Sequence, residues 1–380
     1  MQQLPTEQDI RQIGRGFDPD PARSSSIDTR CYVDPRFLQL EREQVFWRSW
    51  QFVCHAEALR EAGSYVTADV QGRSIAALRG HDGQLRAFYN VCKHRGHELL
   101  SGSGKTRMIT CPYHAWTYQA DGQLRAARGS EKIVGFDRQA CRLDAVQIEE
   151  FCSLIFVNLD PQAAPLAEQS GSLADELNSY APDLSRLTFA HRLTYTIKAN
   201  WKSVVDNFLE CYHCDVAHKD FVTLVDMDSY KVQTHGIWSS HMARAGLTEN
   251  KAYSVENATV TDHAVWFLWP NTTLMRYPGR GNFMVWKFIP LGPEETYEEF
   301  DIFLEDDTPN EAEREALRFI DEVLQPEDIA LVESVQRGMN TPAFNSGRYM
   351  VDPQGSGQSE HAVHHFHGLI LDAYRRACES

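Results

Sequence analysis

The sequence predicts an α+β protein in two parts, an N-terminal all-β domain and a larger domain mixing helices with strands. Three observations predict it. Residues 46–159 read as short β-rich runs punctuated by Asp-Gly turns, the text beyond residue 165 alternates helical and strand periodicities, and Pro161-Gln162-Ala163-Ala164-Pro165 between them reads as a linker. The expected division is a lead segment at 1–45, a β domain at 46–160 and a mixed domain at 161–380. A chain of 380 residues exceeds one ordinary core, which agrees with two domains.

The elements follow in order. Ser64-Tyr65-Val66, residues 74–78, Ala87-Phe88-Tyr89 and residues 154–157 are strands, with turns at Asp82-Gly83 and Asp121-Gly122. In the second half, residues 201–214 carry Val204, Val205, Phe208 and Tyr212 at helical spacing, whereas residues 266–269, 283–290 and 300–304 are strand-like. Thr308-Pro309-Asn310-Glu311 predicts a capping box opening a helix that buries Ala316, Leu317, Ile320 and Leu324. Pro326 is expected to break it, with a second helix running to Gly338.

Composition excludes several classes. A net charge of −16 argues against nucleic acid or an anionic membrane as partner, and suits a redox partner with a basic patch. No apolar run of about 18 residues occurs and the first 30 residues lack a signal-like core, so no membrane association and a cytoplasmic location are expected. Nine cysteines, an odd number in a long chain, do not look like a disulfide framework. Cys31, Cys54, Cys141, Cys152 and Cys378 read as reduced thiols, and Cys211-x2-Cys214 as a packing pair.

Chemistry concentrates in two places. Cys92-Lys93-His94 and Cys111-Pro112-Tyr113-His114 each offer one thiolate and one imidazole. Such a set suits a Rieske [2Fe-2S] cluster, a one-electron relay in which the cysteines hold one iron and the histidines the other. Structural zinc also uses Cys2His2, but usually as a cysteine pair followed by a histidine pair. Further on, His213-x4-His218 with Asp328 matches the two-histidine, one-carboxylate facial triad of non-haem Fe(II) oxygenases, which leaves positions for O2 and substrate. Residues five apart do not share a helix face, so the helix must end or bulge between His213 and His218. Gly102-Ser103-Gly104-Lys105-Thr106 fails as a phosphate loop because its first glycine would fall at Leu99. His361, His364, His365 and His367 read as a helix surface.

At these residues the chain resembles the oxygenase component (α subunit) of Rieske non-haem iron oxygenases, nearest to carnitine monooxygenases and related betaine-oxidising enzymes. The likeness rests on Ala87 to Cys92, His94 to Gly102, Asn200-Trp201-Lys202, Leu209 to Cys214, Pro326-Glu327-Asp328 and Leu331 to Gly338. It implies a catalytic domain of the helix-grip kind, on which the lead segment packs, and a head-to-tail homotrimer in which electrons cross between subunits. His213, His218 and Asp328 take the iron-ligand positions. Glu210 falls at the bridging carboxylate, as in quaternary-ammonium oxygenases, where aromatic-ring dioxygenases usually have Asp. Asp206, Asn207 and Tyr212 are neighbouring candidates for supporting contacts.

The activity implied is O2-dependent hydroxylation next to nitrogen, with C–N cleavage of a betaine- or carnitine-like compound. The alternatives are ring hydroxylation of an aromatic acid and, in another class, a non-catalytic Rieske electron carrier. The stretch Trp266 to Trp269, including Phe267, with Trp238, Tyr277 and Trp286, is expected to supply an aromatic wall for a cation, with Arg276 or Arg280 on a substrate carboxylate. Residues 215–220 and 266–280 depart from the carnitine enzymes. The chain lacks a Gly-x-Gly-x-x-Gly fingerprint, so NAD(P)H is expected to act through a separate flavin/iron-sulfur reductase.

Overall fold

The computed structural model describes residues 3–246 and 250–379. The chain divides into two compact units, residues 46–169 and residues 1–45 with 170–380. The boundary lies past the proline-rich stretch for a physical reason. The Trp50 indole donates to Ala164 O, and the amides of Leu166 and Ala167 donate to the Glu149 carboxylate, which holds this segment on the first unit.

The first unit is all-β. Its strands are β1 (Gln51–His55), β2 (Ser64–Asp69), β3 (Ser74–Arg79), β4 (Leu85–Tyr89), β5 (Ser103–Lys105), β6 (Ile109–Thr110), β7 (Thr117–Tyr118), β8 (Leu124–Ala126), β9 (Ala145–Phe151) and β10 (Leu154–Asn158). Seven form one antiparallel sheet in the order β1-β10-β9-β4-β3-β2-β5, and β6-β7-β8 form a smaller sheet. The alternating residues Ile75, Ala77, Ala87, Val146, Ile155 and Val157 build one core, and Leu78, Phe88, Ile109 and Tyr118 build a second beneath the cysteine loops.

The second unit centres on a seven-stranded antiparallel sheet. Its strands are β11 (Thr188–Ile197), β12 (Lys231–His235), β13 (Trp238–Arg244), β14 (Asp262–Leu268), β15 (Thr272–Arg276), β16 (Asn282–Gly292) and β17 (Glu295–Leu304), in the order β11-β17-β16-β15-β14-β13-β12. Side chains alternate between two faces, and registered partners share one. His241, Val265, Met275 and Met284 stand opposite one another in successive strands, so they mark one face. Phe208, in the helix Trp201–Phe208, packs on Trp286 and Phe288 of this face. The opposite face meets the helix Leu173–Tyr180, where Trp266 donates to Glu176 and Tyr180 packs edge-on against Trp266.

Helices depart from expectation in three places. The helix beginning at Trp201 ends at Phe208, before both His213 and His218, and a single turn, Cys214–Ala217, follows. The cap of the helix Glu311–Phe319 is Asn310, which exchanges hydrogen bonds with Glu313, two residues beyond the expected box. Pro326 does not break the helix: a π-helical segment, Ile320–Leu324, leads directly into Gln325–Met339 with Pro326 in its first turn. The wider π turn just before Pro326 accommodates both the ring and the missing N–H.

The C-terminal histidines are not a helix surface. In the helix His361–Glu379, His364 stacks on Phe17, and His367 is 2% exposed and bonded to Tyr32, Tyr349 and Asp206. A buried ion pair, Lys202 Nζ to Glu41 Oε1 at 2.5 Å, ties the lead segment to the catalytic unit, and the Trp201 indole also donates to Glu41. Among the described residues no helix is long and apolar enough to cross a membrane.

Candidate functional site

In the first unit, two similarly built loops carry the cysteines and histidines. The Cys92 amide donates to His97 O and the Gly96 amide to Cys92 O; the Cys111 amide donates to Trp116 O and the Ala115 amide to Cys111 O. The fifth residue of each loop, Gly96 at φ 72° and Ala115 at φ 57°, is left-handed, so each chain turns sharply just past its histidine. Cys92 and Cys111 are buried, whereas His94 is exposed. The His94 and His114 rings lie 4.5 Å apart, and Trp116 stacks on His94 at 4.9 Å. Tyr118 Oη lies 3.3 Å from Cys92 Sγ and accepts from the Lys93 amide. His114 Nδ1 is buried with no partner. An orphaned ring nitrogen beside two buried sulfurs is what a mixed Cys/His cluster requires, so these residues fit a [2Fe-2S] group.

In the second unit, His213 and His218 flank the one-turn helix Cys214–Ala217, while Asp328 comes from the first turn of Gln325–Met339. The Nε2 atoms of His213 and His218 are 3.0 Å apart, and Asp328 Oδ1 lies 3.5 Å from the first and 3.0 Å from the second. Each Nδ1 already has a carboxylate partner: Glu210 Oε1 at 2.5 Å from His213 and Glu327 Oε2 at 2.8 Å from His218. A proton held on Nδ1 leaves Nε2 as the lone-pair donor, the usual arrangement for a metal-ligating histidine. The donor set therefore fits a divalent metal on two Nε2 atoms and one carboxylate. Burial opposes charge on His213, but hydrogen bonds to Asp328 and Glu210 outweigh it and raise the group to about 10. Burial also opposes ionisation of Asp328, and hydrogen bonds to both histidines overcome it and lower its pKa. A metal ion there would replace a proton.

These groups open into a cavity lined by aromatic and carboxyl side chains. Phe208, Phe221, Tyr230, Tyr277, Trp286 and Phe288 supply most of its aromatic wall. Glu298 also lines it and is 2% exposed. Burial pushes Glu298 up to about 8, and Gln325 Nε2 donates to it at 2.6 Å. Among the described lining residues none is Arg or Lys.

Of the residues expected near the site, the structure gathers His213, His218, Asp328, Glu210, Asn207, Tyr277 and Trp286 around this cavity. Others lie elsewhere. Trp238 is on the opposite face of the sheet, donating to Ser170 O; Phe267 and Trp269 pack on Phe366. Arg276 is bound to Asp183 and Tyr180 O, and Arg280 to Glu305, so neither guanidinium reaches the cavity. Asp206 bonds Tyr32 and His367, and Tyr212 is 48% exposed. Cys211 and Cys214 form a disulfide, not a reduced packing pair, because the helix ends before them and the loop brings their Cα atoms to 5.0 Å. Glu327, His241 and His263 are additions that no spacing in the sequence singled out.

One unit with a one-electron relay site and another with an open two-histidine, one-carboxylate site define an iron-dependent oxygenase. Residues 49–137 match the Rieske [2Fe-2S] domain and residues 184–376 the ring hydroxylating alpha subunit (catalytic domain). The chain is 39% identical over 365 residues to the carnitine monooxygenase oxygenase subunit of Escherichia coli (strain K12), covering 96% of this chain and 97% of that one. It is 32% identical over 371 residues to the chloroplastic choline monooxygenase of Beta vulgaris, covering 95% and 80%. A solved quaternary ammonium Rieske monooxygenase superposes with a TM-score of 0.88 at 35% identity, covering 94% and 98%. Naphthalene 1,2-dioxygenase from Rhodococcus, at 18% identity and a TM-score of 0.80, shares the fold. The chain belongs to the Rieske non-haem iron oxygenases, as an α subunit, and is a monooxygenase using a [2Fe-2S] cluster, mononuclear iron and O2.

Proposed function

We propose that this chain is the oxygenase component of a two-component system that hydroxylates a betaine- or carnitine-like quaternary ammonium compound on a carbon next to nitrogen. One oxygen atom of O2 enters the C–H bond, and the other leaves as water with two electrons and two protons. The resulting carbinolamine loses a proton as its C–N bond breaks, giving a tertiary amine and an aldehyde. The electrons come from NAD(P)H through a separate flavin/iron-sulfur reductase.

The observation that carries this reading is the cavity wall. It is built largely of aromatic faces and contains no described Arg or Lys, a surface whose ring faces attract an ammonium and which offers no cationic partner to an aromatic acid. The relatives named for carnitine and choline oxidation support it.

Cys92, His94, Cys111 and His114 would hold the cluster, and His213, His218 and Asp328 the iron, which when bound supplies O2 activation. The protein's own part is orientation. Glu210 accepts the Nδ1 proton of His213, Glu327 accepts that of His218, and both rings are fixed before metal binds. Glu210 also receives the amides of Tyr212 and His213, so its carboxylate is held in place to link His213 to a cluster histidine of a neighbouring subunit in a homotrimer.

The test is substrate-dependent O2 uptake with a surrogate reductase, screening quaternary ammonium compounds against aromatic acids and weighing the products. A tertiary amine product supports the proposal. A hydroxylated arene, with no turnover of any quaternary amine, overturns it.

A further inference from the structure

With Arg276 and Arg280 turned away, the substrate's end opposite the ammonium needs another partner. Two residues of the cavity wall answer this. His241 on β13 and His263 on β14 project from the same sheet face: His241 stands opposite Val265 and His263 opposite Ala243, which makes the two histidines diagonal neighbours. They are 1% and 3% exposed, and both line the cavity. His241 Nε2 and His263 Nδ1 are buried with no hydrogen-bond partner. A buried polar atom without a partner is costly, and two on one patch of a ligand cavity point to a group that arrives with the ligand.

Their surroundings fix orientation. The Tyr277 ring stacks on His263 at 5.1 Å, and Tyr230 packs against both, at 6.3 Å from His241 and 5.7 Å from His263. Phe221 neighbours both this patch and the His213–His218–Asp328 site, 5.6 Å from His263 and 6.5 Å from His218. A small substrate can therefore span from the histidine patch past one phenyl ring to the His213–His218–Asp328 site. Burial depresses both imidazoles to about 3, so each enters the encounter neutral with one N–H to donate.

We infer that His241 and His263 form a recognition pair that donates hydrogen bonds to an oxygen acceptor, carboxylate or hydroxyl, at the end of the substrate remote from its ammonium. This rests on the proposed quaternary ammonium activity and makes the pair a specificity determinant acting without a fixed positive charge. A site built to satisfy buried donors rejects an analogue that leaves them unpaired.

The experiment uses the holoenzyme and three trimethylammonium compounds of matched chain length, ending in a carboxylate, a hydroxyl or a methyl group. Dissociation constants come from calorimetry and KM from O2 uptake. The wild type should bind at least one oxygen-ended compound about tenfold or more tighter than the methyl-ended one, as two hydrogen bonds would give. Which oxygen end wins identifies the acceptor. The double variant His241→Leu/His263→Leu should reduce that ratio to less than about threefold, and His241→Gln/His263→Gln, which keeps donors, should recover part of it. The ratio is read within each variant, so a general loss of packing does not mimic the effect. If the leucine variant does not accumulate with its cluster absorbance, the glutamine pair and the two single leucine variants carry the comparison. Equal binding of all three compounds by the wild type, or an unchanged ratio in the leucine variants, overturns the assignment of the histidines alone. Failure to bind any trimethylammonium compound overturns the substrate reading with it.

Discussion

His241 and His263 also set a pH dependence at the scale of single residues. Burial lowers both from 6.5 to about 3, so below pH 6.5 the unfolded chain takes up protons that the native state refuses. Their contribution to stability is therefore fully present above 6.5 and is lost as the pH falls toward 3. Each should cost about 1.4 kcal/mol per pH unit within that window. In urea unfolding at pH 7.5 and 5.5, wild type should lose about 1.4 kcal/mol more than His241→Phe, which has no imidazole to protonate. An equal loss in the two proteins would show that His241 is protonated in the native state. The proposed ligand residues are a different case at the same scale. Cys92, His94, Cys111, His114, His213, His218 and Asp328 were legible because ligand chemistry dictates residue type. Glu327 and the sheet histidines were not, since a carboxylate or imidazole carries no sign in sequence of what it will face.

At the scale of elements, strand periodicity was visible but the choice of face was not. A strand's side chains alternate, so a stretch such as Trp266-Phe267-Leu268-Trp269 must divide between two surfaces. Trp266 faces the helix Leu173–Tyr180, and Arg276 on β15 shares that side, bound to Asp183 and Tyr180. Met275 faces the cavity, as does Trp286 on β16. The wall is aromatic as expected, but it is built largely from different rings. Helix ends were misplaced for a similar local reason. Thr308 and Asn310 both have the chemistry of a cap, and Asn310 took the position because Glu313 lies three residues on and returns the bond. Asn310→Ala should therefore lower unfolding stability by about 1 kcal/mol, whereas Thr308→Ala, whose hydroxyl reaches only Asp307, should stay within about 0.5 kcal/mol. Equal effects in chemical denaturation would return the cap to Thr308.

For the whole molecule, the two units carry complementary halves of one reaction, a relay that moves single electrons and a site that consumes them. An exposed His94 suits electron exit at a surface, and the net charge of −16 suits docking of a basic reductase. In the proposed head-to-tail homotrimer, each interface pairs the cluster of one subunit with the iron of the next, so the two functions are separable by subunit. The chain with Cys111→Ser loses the cluster but keeps His213, His218 and Asp328; the chain with Asp328→Ala loses an iron ligand but keeps the cluster. Each alone should be inactive. Co-expressed in equal amounts, they place an intact cluster beside an intact iron site at about one interface in four, since donor and acceptor are each present with even odds. O2 uptake at about a quarter of the wild-type rate is the expected result if electrons cross between subunits. Mixed trimers, verified by two affinity tags and still inactive, would place the transfer within a single chain and remove the reason for Glu210 to face a neighbour.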